Sequence, residues 1–447
     1  AAALPGSRKK ALDRIGYELE VMGRATTPRS FDELVKIEEL AGECPVGRYD
    51  QIADYEGGLA EAKRCGTATQ RAEMLFEQGK FADAQKELDA TVEANVAIQI
   101  AIANADWNHA ADLAERYETI PHERAYLTDP EGVAAHQCFG ALLRTFGGDA
   151  NAFARVKDRG HDVTCSIIEA ASKPIDQQPD AFAKLDTSPM GKGMNSAYYD
   201  LSVPHFALAA GPVTERSFIT PSGPGALMFN ELDNWVLLAP YQLAAHPDDT
   251  WTVTAELNMT GYEAIRGNLA AAHTHFAKIP EDNYSKNSLA MGLALREGTM
   301  PPDKPNDAGT YGSAIAIRHG RPVRDLLAAR DTDMAELKLA ADGDGHALAH
   351  LVGTSLNYFD SNQHLVMALL PTLKTGQDEV RQMLHYFRSD MSGTSRMRAI
   401  TDAALYRDLA RLAGDSAEQA RWQGVVDRWF ATIADRQKLT ALLLWQS

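Results

Sequence analysis

No stretch of this 447-residue chain is apolar over the roughly 18–20 residues that a membrane-spanning helix needs. The longest candidate, near Ala97 to Ala105, is interrupted by Gln99 and Asn104. Basic charge is also scarce: 44 Lys and Arg stand against 61 Asp and Glu, a formal charge of −17. Such a surface repels phosphate backbones, and Arg8-Lys9-Lys10 is the only compact basic run, so nucleic acid is not an expected partner. Cys-x-x-Cys is absent, which removes zinc-ribbon, haem-attachment and thioredoxin-type signatures. A Gly-x-Ser-x-Gly elbow, a Walker loop and a dinucleotide fingerprint are missing too, so no cofactor is expected.

Cysteine is sparse but patterned. The four, Cys44, Cys65, Cys138 and Cys165, all lie in the first part of the chain and suggest two local pairs, Cys44–Cys65 and Cys138–Cys165. Four cysteines permit three connectivities, and four buried thiols in a cytoplasmic protein are the alternative. Oxidised pairs, with a chain that starts Ala1-Ala2-Ala3 and not Met, favour a periplasmic or secreted location.

What is present is ordinary globular composition, 45% hydrophobic and 23% charged, in a chain long enough for two or three domains or one continuous helical array. The clearest pattern runs from Thr69 to Tyr117. Ala72, Leu75, Phe81, Ala84 and Leu88 recur at helical spacing, with Gly79 as the break between two helices. Ala105-Asp106-Trp107 takes the place of Gly79-Lys80-Phe81 in a second, shorter copy, followed by Ala110 and Ala114. Small residues let helices approach closely, and Phe81 and Trp107 can wedge between them.

Gly79-Lys80-Phe81-Ala82-Asp83-Ala84, with Ala72 and Leu75 on the preceding helix, resembles the turn and second-helix start of a tetratricopeptide repeat. Gly267-Asn268-Leu269-Ala270-Ala271-Ala272, continuing to Phe276, is similar, and more loosely so is Gly414-Asp415-Ser416-Ala417-Glu418-Gln419-Ala420. The family's period is about 34 residues, whereas Gly79 and Ala105 are 26 apart (105 − 79). The resemblance covers about a third of the chain. It implies a helical scaffold for protein binding and carries over no catalytic residue. The expected fold is all-α, an α-solenoid of tetratricopeptide-like hairpins with an irregular insertion.

Three regions follow from the punctuation. Residues 1–172 read as helical repeats, with helices expected from Leu12 to Met22, after the capping Ser30 through Leu40, and from Gly132 to Phe146. Residues 173–250 carry nine prolines, from Pro174 to Pro247, and read as a Pro/Gly-rich insertion or linker whose aromatics argue for packing. Residues 251–447 return to helical order. Leu405, Leu409 and Leu412 form one face and Val426, Trp429, Phe430 and Ile433 another, and Leu442 to Trp445 read as an apolar cap.

Candidate sites are few. Asp342-Gly-Asp344-Gly-His346 leads to His350, and two histidines at i, i+4 share a helix face as in helical zinc sites. The motif lacks the glutamate of His-Glu-x-x-His, and an Asp-capped helix accounts for it equally. His273 and His275 fall on different faces and do not suggest a shared metal. Glu231 and Asp233, between Phe229 and Trp235, supply the paired carboxylates and stacking surface of glycoside chemistry, or solvated acids beside packed aromatics. Asn104, Asn108 and His109 are groove candidates for a protein ligand. The leading expectation is a non-enzymatic scaffold that binds a protein partner, one with a basic patch, in an extracytoplasmic assembly. The rival is an all-helical enzyme, glycan-active or metal-dependent, using Glu231 and Asp233 or His346 and His350.

Overall fold

The structure is a computed structural model; it describes residues 31–117, 130–156, 164–174, 251–283, 343–347, 373–382 and 398–445, with scattered positions between 177 and 339. Those residues are mostly helical, as expected, and no strand occurs among them; Asp344 and Thr375 form an isolated parallel bridge. The predicted helix from Leu12 to Met22 and most of 173–250 lie outside the described residues.

The N-terminal helices are α1 (Phe31–Ala41), α2 (Val46–Gln51), α3 (Tyr55–Cys65), α4 (Ala68–Glu77), α5 (Phe81–Lys86), α6 (Ala94–Ala103), α7 (Trp107–Glu115), α8 (Pro130–Phe146) and α9 (Thr164–Ala171). From α1 to α9 each packs on the next in chain order, and α4 also meets α6. Further along come α10 (Trp251–Arg266), α11 (Leu269–Phe276), α12 (Arg398–Ala413), α13 (Ser416–Ile433) and α14 (Arg436–Trp445). Here α10 packs on α11, α12 on α13, and α10 on both α12 and α13.

One turn recurs at the joints. Ala53, Gly79, Ala105, Gly267 and Gly414 each take a left-handed φ, between 55° and 88°. In every case the N–H of that residue donates to the carbonyl three back, and the next N–H to the carbonyl five back, the Schellman arrangement. It satisfies two orphan carbonyls and turns the chain at once into the next helix. The residue after the turn then starts that helix. Asp54, Asn268 and Asp415 accept the N–H of Gly57, Ala271 and Glu418 on their side chains. Gly79 is constrained twice, because a Cβ there would lie 2.9 Å from the Cβ of Arg428 on α13.

The N-terminal and C-terminal helices share one core. Trp429 of α13 packs edge-on to Phe76 and Phe81, with ring centroids 5.0 and 4.9 Å away, and donates its indole N–H to Glu77 O at 3.1 Å. Beside it Arg428 Nε donates to Gln78 O at 2.8 Å. Both side chains occupy the carbonyl end of α4, where a helix carries partial negative charge. Lys438 does the same for α6 through Ala103 O at 2.8 Å. Leu442 and Leu443 of α14 are fully buried as α14 lies against α6 and α8, and Trp445 packs on Tyr117 and Phe139. The closing apolar run is therefore an internal wedge and not a cap on the last turn. Each such side chain contributes about 1.5–3 kcal/mol of burial.

Both cysteine pairs are closed as expected. Cys44–Cys65 joins the turn after α1 to the end of α3, and Cys138–Cys165 joins α8 to α9, with Cα separations of 5.6 and 5.5 Å.

Candidate functional site

Asp344 shows what the Asp-Gly-Asp-Gly-His stretch does locally. Gly343 adopts φ +94°, and the Asp344 carboxylate accepts the N–H groups of His346 and Ala347 at 2.9 and 3.0 Å. It is an N-cap, the same device that follows Ala53, Gly267 and Gly414. His346 lies on the surface with Nδ1 3.2 Å from Glu379 Oε1, a carboxylate whose residue is itself buried. Asp342 and His350, like Glu231 and Asp233, lie outside the described residues.

The groove candidates separate by role. Asn104 closes α6 and donates its amide to Ile100 O and Phe81 O, both at 2.9 Å, and it thereby ties the end of α6 to the start of α5. Asn108 is exposed on α7 and His109 half-buried, next to Trp107 in sequence, which packs on Phe146.

Three charged clusters had no signature in the sequence. Buried Glu256 of α10 takes His275 Nδ1 on one oxygen and Lys278 Nζ at 2.8 Å on the other. His273, on another face of α11, meets Glu297 instead, so the two histidines serve different carboxylates, as their spacing implies. A carboxylate on Nδ1 orients an imidazole and fixes its tautomer, which suits both proton transfer and plain anchoring. Deeper in, Arg296 and Arg407 share Asp408, and all three are nearly fully buried. Arg407 also donates to Ala264 O and Ile265 O, at 3.1 and 2.6 Å, and so closes α10. Desolvation lowers the Arg296 pKa, and the Asp408 carboxylate opposes that shift. Partners more than a hundred residues apart cannot be paired from local spacing.

A cleft of about 490 Å³ is lined by Thr145, Phe153, Val156, Glu169, Ser172 and Lys173. Its charges are matched internally, since Lys173 lies 3.6 Å from Glu169.

The remaining feature is α1. Phe31, Leu34, Val35, Ile37 and Leu40 recur along this helix; the first four are half-buried, Phe31 against Tyr49, and Leu40 is 67% exposed. Around that stripe stand Asp32, Glu33, Glu38, Glu39 and Glu43, with Lys36 the lone base between 31 and 43. The charge is felt nearby. The Tyr49 phenol is pushed up by burial first and then by Glu61, Asp54, Asp32 and Glu39.

No protein-family model, no curated protein and no solved structure matches the chain.

Proposed function

We propose that the protein is a helical-repeat scaffold, a solenoid of tetratricopeptide-like hairpins, that binds a protein partner at the α1 edge. The observation that carries this reading is α1 itself. Its five large apolar residues are at best half-buried and Leu40 is 67% exposed, which we read as an unfinished contact, since a surface helix normally buries its stripe. Its acidic surroundings select a partner that presents a basic, amphipathic surface, for which opposite charge speeds encounter and fixes register. The joint-by-joint packing of α1 to α9 supports the solenoid reading, because stacked repeats contact chiefly their neighbours. The two closed disulfides fit an oxidising setting, and we place the assembly outside the cytoplasm.

Affinity capture from the native host, followed by native mass spectrometry, tests this reading. The full chain should recover one partner at fixed stoichiometry, with no mass loss on chelation. Leu34→Asp with Leu40→Asp should abolish recovery, and circular dichroism checks that helicity is kept, since Leu40 is exposed and Leu34 half-buried. A solitary chain, or a partner held equally by the double variant, overturns it.

A further inference from the structure

The first disulfide carries a feature the second lacks. Glu61 and Cys65 stand one turn apart on α3, on one face, and the loop after α1 brings Cys44 against them. Cys65 Sγ lies 3.4 Å from Glu61 Oε1, and the ligating atoms of Cys44, Glu61 and Cys65 all fall within 4.8 Å of one another. Cys138 and Cys165 have no such third ligand among the described residues. They are also buried, whereas Cys65 is open to solvent.

We propose that Cys44, Cys65 and Glu61 form a zinc site when the Cys44–Cys65 bond is reduced, so that one pair of sulfurs serves as a staple or as metal ligands according to the surrounding thiol poise. Two thiolates and a carboxylate are a donor set that zinc accepts in tetrahedral geometry, and the exposed side leaves the fourth position to water. With Zn–S near 2.3 Å the sulfurs must part to about 3.7 Å, a matter of side-chain rotation when the Cα atoms already stand 5.6 Å apart. Arg64 now holds the Glu61 carboxylate, and its other contact is Glu39 at 2.8 Å. Shifting wholly to Glu39 frees Glu61 and keeps a cation beside a site whose three anionic ligands exceed the charge of Zn²⁺.

The chemistry balances with a dithiol as reductant. Its two sulfurs join as a disulfide and deliver two electrons and two protons, and the Cys44–Cys65 bond opens to two thiols. Zinc then displaces those two thiol protons to water. Reoxidation by a disulfide reverses the sequence and releases the metal.

The test uses the full chain, oxidised and after reduction by a phosphine that is removed without air. Zinc stoichiometry is read by native mass spectrometry, and Cd²⁺ titration is followed by its ultraviolet thiolate charge-transfer band. The reduced chain should hold one zinc and the oxidised chain none. Cys44→Ser should lose both zinc and the cadmium band, and Glu61→Gln should weaken zinc about 10-fold or more. Glu61→Gln keeps the disulfide, so its fold can be verified by circular dichroism in the oxidised state before reduction. A reduced chain without zinc, a Glu61→Gln chain that binds as tightly, or zinc retained by Cys44→Ser overturns the proposal. None of these readouts depends on a protein partner at α1.

Discussion

Ala105 occupies a backbone position that favours glycine. Its φ of 56° matches that of Gly79 at the equivalent joint, and for an L-residue the left-handed region costs about 1–2 kcal/mol. Glycine removes that strain but adds freedom to the unfolded chain, about 0.4–1 kcal/mol. Ala105→Gly should therefore stabilise the protein by about 0.5–1 kcal/mol in denaturant unfolding, and a destabilisation would show that the joint is not built as described. Tyr49 gives a pH-dependent counterpart. Its folded pKa lies above the ordinary 10.0, so the fold favours the protonated phenol. The stability this supplies is fully present below pH 10 and is lost as pH rises through the folded value. Alkaline unfolding titrations should show that loss in the native sequence, and Tyr49→Phe should flatten it. At this scale the sequence was readable where neighbours decide the outcome. Ala105 was placed beside Gly79 by pattern alone, and the Asp344 cap was one of two readings of its stretch. Glu256 was not readable, because its partners His275 and Lys278 come from the next helix and the turn after it and carry no spacing signal.

The helices owe their order to the joints between them. At five joints a left-handed residue and two back-bonded N–H groups turn the chain within two residues, with an oxygen-bearing cap at Asp54, Asn268 and Asp415, and the next helix is laid beside the last. The pairs Ala53-Asp54, Gly267-Asn268 and Gly414-Asp415 announce this device in the sequence. Asp415→Ala should cost about 1 kcal/mol by removing the cap on α13, whereas Asp415→Asn should be nearly neutral; equal losses would assign the effect to charge. The α12 face of Leu405, Leu409 and Leu412 falls on positions whose side chains lie outside the described residues. The α13 face, by contrast, is borne out, with Val426, Trp429, Phe430 and Ile433 all buried.

For the whole molecule, the decisive contacts join its ends. Trp429 meets Glu77 across 352 positions of sequence, and such pairing leaves no trace in periodicity. The apolar face of α13 and the closing run of α14 were legible, but their destination was not, because a hydrophobic stripe specifies burial without naming the surface that covers it. Trp429→Ala should destabilise the fold by about 3–5 kcal/mol, with the N-terminal and C-terminal helices losing amide protection together. Loss of protection confined to α13 and α14 would mean that the N-terminal array stands without them. The same reasoning isolates α1, the one helix among the described α-helices with a repeated apolar stripe and no buried residue. Cross-linking mass spectrometry in the native host, read at exposed Lys36 in the middle of α1, tests that surface most directly. The scaffold account predicts cross-links from Lys36 to a single basic partner, lost with Leu34→Asp and Leu40→Asp. Cross-links absent from Lys36, or unchanged in the double variant, would contradict it.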